Sequence, residues 1–236
     1  SYEINDKMTF QARASYDFSS KSNEQRHAAN SNPTNVSPNG KWEYQKFTDE
    51  LFYTDAILTY NENITEDISV NAIIGASLQK TTFGDGVSVN TGDPGLFYAN
   101  EFNFQNVHTT NQIKSTLSSR VEKQALFGNF VIGYKDAIFL DVAGRNDYAS
   151  TLAMTGNESY FYPSYGLSAI ISELVTLPEV ISFAKLRVSA ASVGNEVPYN
   201  KINPQNTVNA AGGVVRNTQK PFTDLNPEMI ETTEFG

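Results

Sequence analysis

Two histidines, His27 and His108, and the adjacent carboxylates Asp49-Glu50 and Glu66-Asp67 are the residues of this chain best suited to acid–base or metal chemistry. Their spacing supports neither. The chain has no cysteine, both histidines fall in polar stretches, and no His-Glu-x-x-His run brings two imidazoles together, so no zinc or other metal site is expected. Adjacent carboxylates on an extended strand point to opposite faces and do not form an acid/base pair across a scissile bond. Asp85-Gly86 and Gly92-Asp93-Pro94-Gly95 read as turns. No Gly-Lys-Ser/Thr follows them, so they are not a phosphate loop. No catalytic set and no cofactor is expected, and the chain does not read as an enzyme. Binding is the chemistry left. Trp42, Phe97, Tyr98, Phe102 and Phe104 fall in stretches read as long loops. Their rings could stack on the C–H face of a sugar or pack on a peptide side chain. Loop-on-loop packing is the competing use of the same rings.

The elements that must position these residues follow a period of two. Over 8–17, Met8, Phe10, Ala12, Ala14 and Tyr16 share one face, and Thr9, Gln11, Arg13, Ser15 and Asp17 the other. Residues 52–60 and 68–79 repeat the pattern. A hairpin runs from Leu126 to Tyr134, turns at Lys135-Asp136 and returns through Ile138, Leu140 and Val142. Further strands are expected near 162–172 and 184–193, and another begins near Met229. No stretch is long and apolar enough for a membrane helix. Twelve tyrosines and 15 phenylalanines with 39% hydrophobic residues suit strands better than a helical core. A net charge of -9 argues against nucleic acid as a partner.

Connections run long after 8–18, short at 61–66, long over 81–115, two residues at Lys135-Asp136, medium over 148–159 and around Pro178, and long again over 194–226. An up-and-down barrel spanning a membrane gives this asymmetry, with one rim of short turns and one of long loops. The charges agree. Arg13, Asp17, Asp55, Asp141, Arg145, Asp147, Lys185 and Arg187 all fall on the register opposite the apolar one. Arg or Lys facing lipid at the midplane costs roughly 2–4 kcal/mol. Arg13, Asp141, Arg145, Lys185 and Arg187 are therefore expected to line the lumen. Glu50 and Lys80 fall on the apolar register, beyond the apolar stretch. Aromatic strand ends (Tyr16, Phe18, Tyr60, Tyr134, Phe161, Tyr162 and Tyr165) suit the two membrane interfaces. The reading is all-β: an antiparallel, up-and-down transmembrane β-barrel segment of about seven full strands plus a partial one. Residues 1–236 would be part of one barrel domain. The alternative is a soluble all-β carbohydrate-binding module.

Several runs, in order, carry a family resemblance. They are Ile138-Phe139-Leu140-Asp141-Val142-Ala143-Gly144-Arg145-Asn146-Asp147-Tyr148, Ser159-Tyr160-Phe161-Tyr162-Pro163-Ser164, Ser182-Phe183-Ala184-Lys185-Leu186-Arg187-Val188-Ser189 leading to Gly194-Asn195, and Leu225-Asn226-Pro227-Glu228 before Thr232-Thr233-Glu234-Phe235-Gly236. Together they resemble the SusC/RagA-type TonB-dependent transporters of the bacterial outer membrane, over about 138–194 and 225–236. The first half of the chain matches in pattern only. The resemblance implies a 22-stranded barrel, and a plug domain and TonB box that this chain does not contain. It also implies a SusD-type surface lipoprotein as partner, the TonB energy-coupling complex as engine, and oligosaccharide or peptide as cargo. The remaining strands would have to come from outside this chain.

Overall fold

The computed structural model describes residues 1–31, 37–92, 95–108, 112–116, 118–208 and 213–236, with backbone alone at 112–116 and 207–208. Twelve strands are found among them: β1 (Tyr2–Asn5), β2 (Met8–His27), β3 (Lys41–Asn63), β4 (Ile68–Asn90), β5 (Gln112–Thr116), β6 (Ser119–Tyr134), β7 (Ile138–Ala149), β8 (Ser159–Ile170), β9 (Lys185–Asn195), β10 (Thr207–Val208), β11 (Val214–Val215) and β12 (Glu228–Phe235). The main sheet runs in the order β1-β2-β3-β4-β6-β7-β8-β9-β12, with β5 on the upper part of β4. Every pairing along it is antiparallel. This is an open, up-and-down segment of a barrel wall. The soluble-sandwich alternative would need a second sheet over the apolar face. Among the described residues the only other sheet is the two-stranded β10–β11 pair.

Two adjacent rows of paired residues show how the faces differ. Val70, Ile132, Leu140, Leu167, Val188 and Phe235 lie side by side on six strands. One residue further along each strand come Asn71, Val131, Asp141, Gly166, Ser189 and Glu234. The first row is wholly apolar and belongs to the open face, where Ile74 is 56% and Leu126 63% exposed. The second is mostly polar and belongs to the more covered face, where Asp55, Ala125 and Tyr160 are buried. Strand alternation alone produces this split. The two charges on the apolar register behave as expected for its upper rim: Lys80 pairs with Glu122 at 3.4 Å, and Glu50 lies directly across from Phe18.

The short-turn rim is tightly made. Lys135 and Asp136 both have positive φ, the geometry of a two-residue hairpin turn that suits strand twist. Lys7, Tyr60 and Glu62 join side chains beside the β1–β2 turn, and Lys135 lies 5.4 Å from the Tyr134 ring. Two expected interface aromatics are placed differently. Tyr162 pairs with Arg145 and faces inward, because the register of β8 is set by β7. Tyr165 pairs with Val142 and Ala190, in the middle of the apolar face.

The largest departure from the sequence reading is at the other rim. β2, β3 and β4 have 20, 23 and 23 residues, where about 9–11 suffice to cross a bilayer. They overshoot by about a dozen residues, roughly 40 Å of strand. Much of the two stretches read as long loops is thus ladder. Asp85 and Gly86, read as a turn, pair with Thr48 and Phe47. Above the apolar band no single face stays apolar along these strands, so hydrophobic alternation fades although the hydrogen bonds continue. Of the second expected turn, Asp93 and Pro94 lie outside the described residues. The strand expected over 162–172 ends at Ile170 in one helical turn, Ile171–Leu174.

Candidate functional site

The inner wall carries charges paired directly across neighbouring strands or two residues apart on one strand. Arg13 donates to both oxygens of Asp55 at 3.0 and 2.7 Å, and Tyr53 adds a third donor at 2.9 Å. The Asp55 side chain has no exposed surface, whereas that of Arg13 is half exposed. Arg145 donates to Asp147 at 2.7 Å while the Tyr162 hydroxyl holds the other Asp147 oxygen at 2.7 Å. The Arg145 guanidinium lies 5.5 Å from the centre of the Phe127 ring. Asp141 accepts from Asn129 at 2.6 Å. Lys185 and Arg187 share the same face and make no ion pair among the described residues. All five expected lumen residues thus fall on the inward register. Tyr53, Phe127 and Asn129 were not singled out in the sequence, and Tyr162 was expected at an interface rather than on this wall. Counting by two from each charge would have found Tyr53, and cross-strand pairing is needed for the others.

The segment after β9 lies against this wall. Val197 and Leu225 pack on Ala149, Leu152 and Tyr160, and Tyr199 meets Phe83 edge-on at 5.2 Å. Glu196 pairs with Lys123, and Asn157 donates to the Leu225 carbonyl at 3.1 Å. Lys123 and Phe83 are inward residues, paired with Gln79 and Ser119.

The aromatic candidates form a separate unit at the tip of the overshooting strands. Trp42 is 3% exposed and packs with Val89, Leu96 and Val107. Phe104 meets Trp42 and Tyr44 edge-on at 5.1 and 5.7 Å, and the Arg26 guanidinium lies 5.7 Å from the Phe102 ring. Asn106, itself buried, ties the 95–108 segment together. Its side chain accepts from the Tyr98 N–H and donates to the Tyr98 and Glu101 carbonyls. Phe97 rests on His108 with ring centres 3.7 Å apart and is half exposed, as is Phe104; Tyr98 is 74% exposed.

Register decides which way this platform faces. The β2–β3 ladder runs unbroken from Met8↔Tyr60 to His27↔Lys41. Trp42, Tyr44, Glu24 and Arg26 therefore continue the even-numbered register of Phe10, Tyr16 and Phe52. That is the apolar, outward face. On β4 a bulge between Thr82 and Asp85 shifts the parity by one residue, with Gly84 at φ +75°. Val87 and Val89 are thereby brought to the same side as Tyr44. The platform covers the outside of the overshoot, whereas the segment after β9 covers the inside of the wall.

One carboxylate pins the platform. The Trp42 indole N–H and the Arg26 guanidinium both donate to the same Glu24 oxygen at 2.8 Å. The Arg26 hydrogen bond, then that of Trp42, holds the Glu24 carboxyl below the usual carboxylate range. A carboxylate depressed on folding contributes stability above its unfolded pKa, about 4.3. That contribution is lost as the pH falls through the lower folded value. Trp42 is the only tryptophan of the chain. Its emission, taken as the difference from a Trp42→Phe variant of the full-length protein, is expected to shift to the red on acidification below about pH 4. Glu24→Gln is expected to remove that pH dependence.

No protein-family model and no curated protein sequence matches the chain. Its backbone matches solved structures. The likeness is to a peptide transporter. A chain of the RagAB peptide transporter superposes over 98% of this chain with a TM-score of 0.83 and 18% identity. The RagAB peptide importer matches in its open-open state over 99% of the chain at 0.83 and 19%, and in its closed-closed state over 99% at 0.81 and 18%. The likeness to RagAB is one of fold at these identities. This chain spans about a quarter, 26%, of each RagAB chain it matches.

Proposed function

We propose that this chain is part of the barrel wall of an outer-membrane, TonB-dependent importer of the SusC/RagA type, carrying a nutrient too large for porins. The observation that carries the reading is the pair of neighbouring rows, one apolar and open, the other polar and covered, on a backbone that superposes on RagAB along nearly its whole length. A row of Val, Ile, Leu and Phe facing outward suits lipid, and the polar row suits a water-filled or plugged lumen. Peptide is the favoured cargo because the matched structures are named for peptide transport; oligosaccharide is the other cargo the sequence resemblance implies. Arg13, Asp141, Arg145, Lys185 and Arg187 then line the cargo path, with Arg13 and Arg145 closed on carboxylates as structural braces.

The platform takes a second role in this reading. Trp42 and Phe102 are supports, and Phe97, Tyr98 and Phe104 present their exposed faces to a SusD-type surface lipoprotein or to cargo at the mouth. The test is uptake. Cells carrying the full-length protein are expected to accumulate labelled oligopeptides. Accumulation should fall to background when the gene is deleted and when TonB is removed. Uptake of labelled peptide and oligosaccharide alike that is indifferent to the gene would overturn the proposal.

A further inference from the structure

We infer that Asn39 is both the latch of the aromatic platform and a site of spontaneous deamidation, so that its conversion to Asp or isoaspartate frees residues 95–108 from the strand tip. Asn39 lies in the connection between β2 and β3 and is half-buried. Its side-chain amide donates to the Leu96 carbonyl at 2.9 Å and to the Phe97 carbonyl at 3.0 Å. Its own carbonyl accepts from the Asn100 N–H at 3.1 Å. The Asn100 side chain returns the tie, accepting from the Ala29 N–H at 2.7 Å. Leu96 is fully buried with Trp42, Val89 and Val107. Three hydrogen bonds from one residue thus hold the start of the platform segment where its apolar anchor enters the cluster.

Glycine follows Asn39 of necessity. Gly40 has a φ of +102°, and a Cβ there would meet the His27 carbonyl oxygen at 2.7 Å. The fold therefore uses Asn39 as donor and Gly40 as turn, and together they make the only Asn-Gly pair in the chain. No side chain on Gly40 shields its nitrogen from the asparagine Cγ, which makes this dipeptide prone to deamidation. The Gly40 nitrogen attacks Cγ and closes a succinimide ring. The Cγ–Nδ2 bond breaks, and ammonia leaves with the proton lost by the Gly40 nitrogen. Water then opens the ring at either carbonyl to give Asp or isoaspartate.

The folded turn restrains both reacting groups. The Gly40 N–H donates to the Ser37 carbonyl at 2.9 Å, and Nδ2 of Asn39 is held on its two acceptors. Reaction must wait until both are released. Once it occurs it is not reversed by closing the turn. A carboxylate has no hydrogen to donate, so acceptor then faces acceptor at Leu96 and Phe97. Isoaspartate also adds a methylene to the backbone and displaces the carbonyl that Asn100 uses. Phe97, Tyr98 and Phe104 lose their fixed presentation, while the ladder below is untouched.

The experiment uses the full-length protein in detergent at mildly alkaline pH, with a synthetic peptide of residues 37–44 as the unrestrained reference. Mass spectrometry follows conversion of amide to acid at Asn39. The protein is expected to convert about tenfold more slowly than the peptide, because two hydrogen bonds must break first. Trp42→Ala, which loosens the platform, should bring the rate towards that of the peptide. Asn39→Asp should be cleaved by protease within 95–108 and show Trp42 emission shifted to the red, with the compact barrel band unchanged. Equal rates in protein and peptide would show that the amide is not held, and overturn the latch. So would an Asn39→Asp protein that keeps 95–108 protected and its emission in place. If Asn39→Asp fails to fold, wild type converted after folding decides: cleavage within 95–108 supports the latch, and protection overturns it. The import reading stands or falls separately, on uptake.

Discussion

Ile74→Arg in the full-length protein is expected to stop insertion into lipid vesicles, while Gln79→Arg inserts nearly as wild type does. Ile74 pairs with Leu58 and Gly128 in the middle of the outward face and is 56% exposed. In the proposed importer an arginine there meets the centre of the bilayer, at a cost of roughly 2–4 kcal/mol. Gln79 sits five residues on, with inverted parity, beside Tyr53 and Lys123 on the inner face. There a guanidinium meets water and polar neighbours. The measurement is the fraction of refolded protein that runs as the compact, heat-sensitive band after mixing with vesicles. Equal loss for both variants would show that the apolar face is not the lipid face.

Trp42→Ala is the second large effect, and it is local. The indole is 3% exposed and fills the space between Val89, Leu96 and Val107. Removing a buried indole typically costs about 3–5 kcal/mol. The loss should appear as proteolytic cleavage within 95–108, with the barrel band unchanged, because the ladder below does not depend on the platform. Trp42→Phe should be milder, since a ring remains to meet Phe104 while the bond to Glu24 is lost. If Trp42→Ala leaves 95–108 protected, the cluster is not what holds the platform down.

Wherever one face of a strand meets an apolar medium and the other does not, the fold was legible from residue types alone. Met8 to Tyr16, Ile68 to Leu78 and Leu126 to Val142 announce their strands because parity and polarity coincide. So the inward placement of Arg13, Asp141, Arg145, Lys185 and Arg187 could be read before any coordinates. The reading stopped where that coincidence stops. Residues 19–27, 41–51 and 80–90 lack a continuous apolar face, and cross-strand hydrogen bonds, which leave no trace in composition, make them strands. Trp42, on β3, looked like a loop aromatic for the same reason. Tyr162 was misplaced because its face is fixed by pairing with Arg145, which spacing within its own strand does not reveal.

The bulge at Gly84 has a consequence for how the two halves of this wall can change. A single extra residue on β4 acts as a phase shift between two periodic patterns. Below it, even positions carry the apolar row. Above it, odd positions must satisfy the platform. Each pattern can drift without forcing a change in the other, so long as the shift is kept. Deleting one residue at 83–84 would bring the phases together and turn Val87 and Val89 away from Trp42. Substitutions at the tip leave the belt as it is. The wall can therefore acquire a new surface at its tip on a lower part that stays constant.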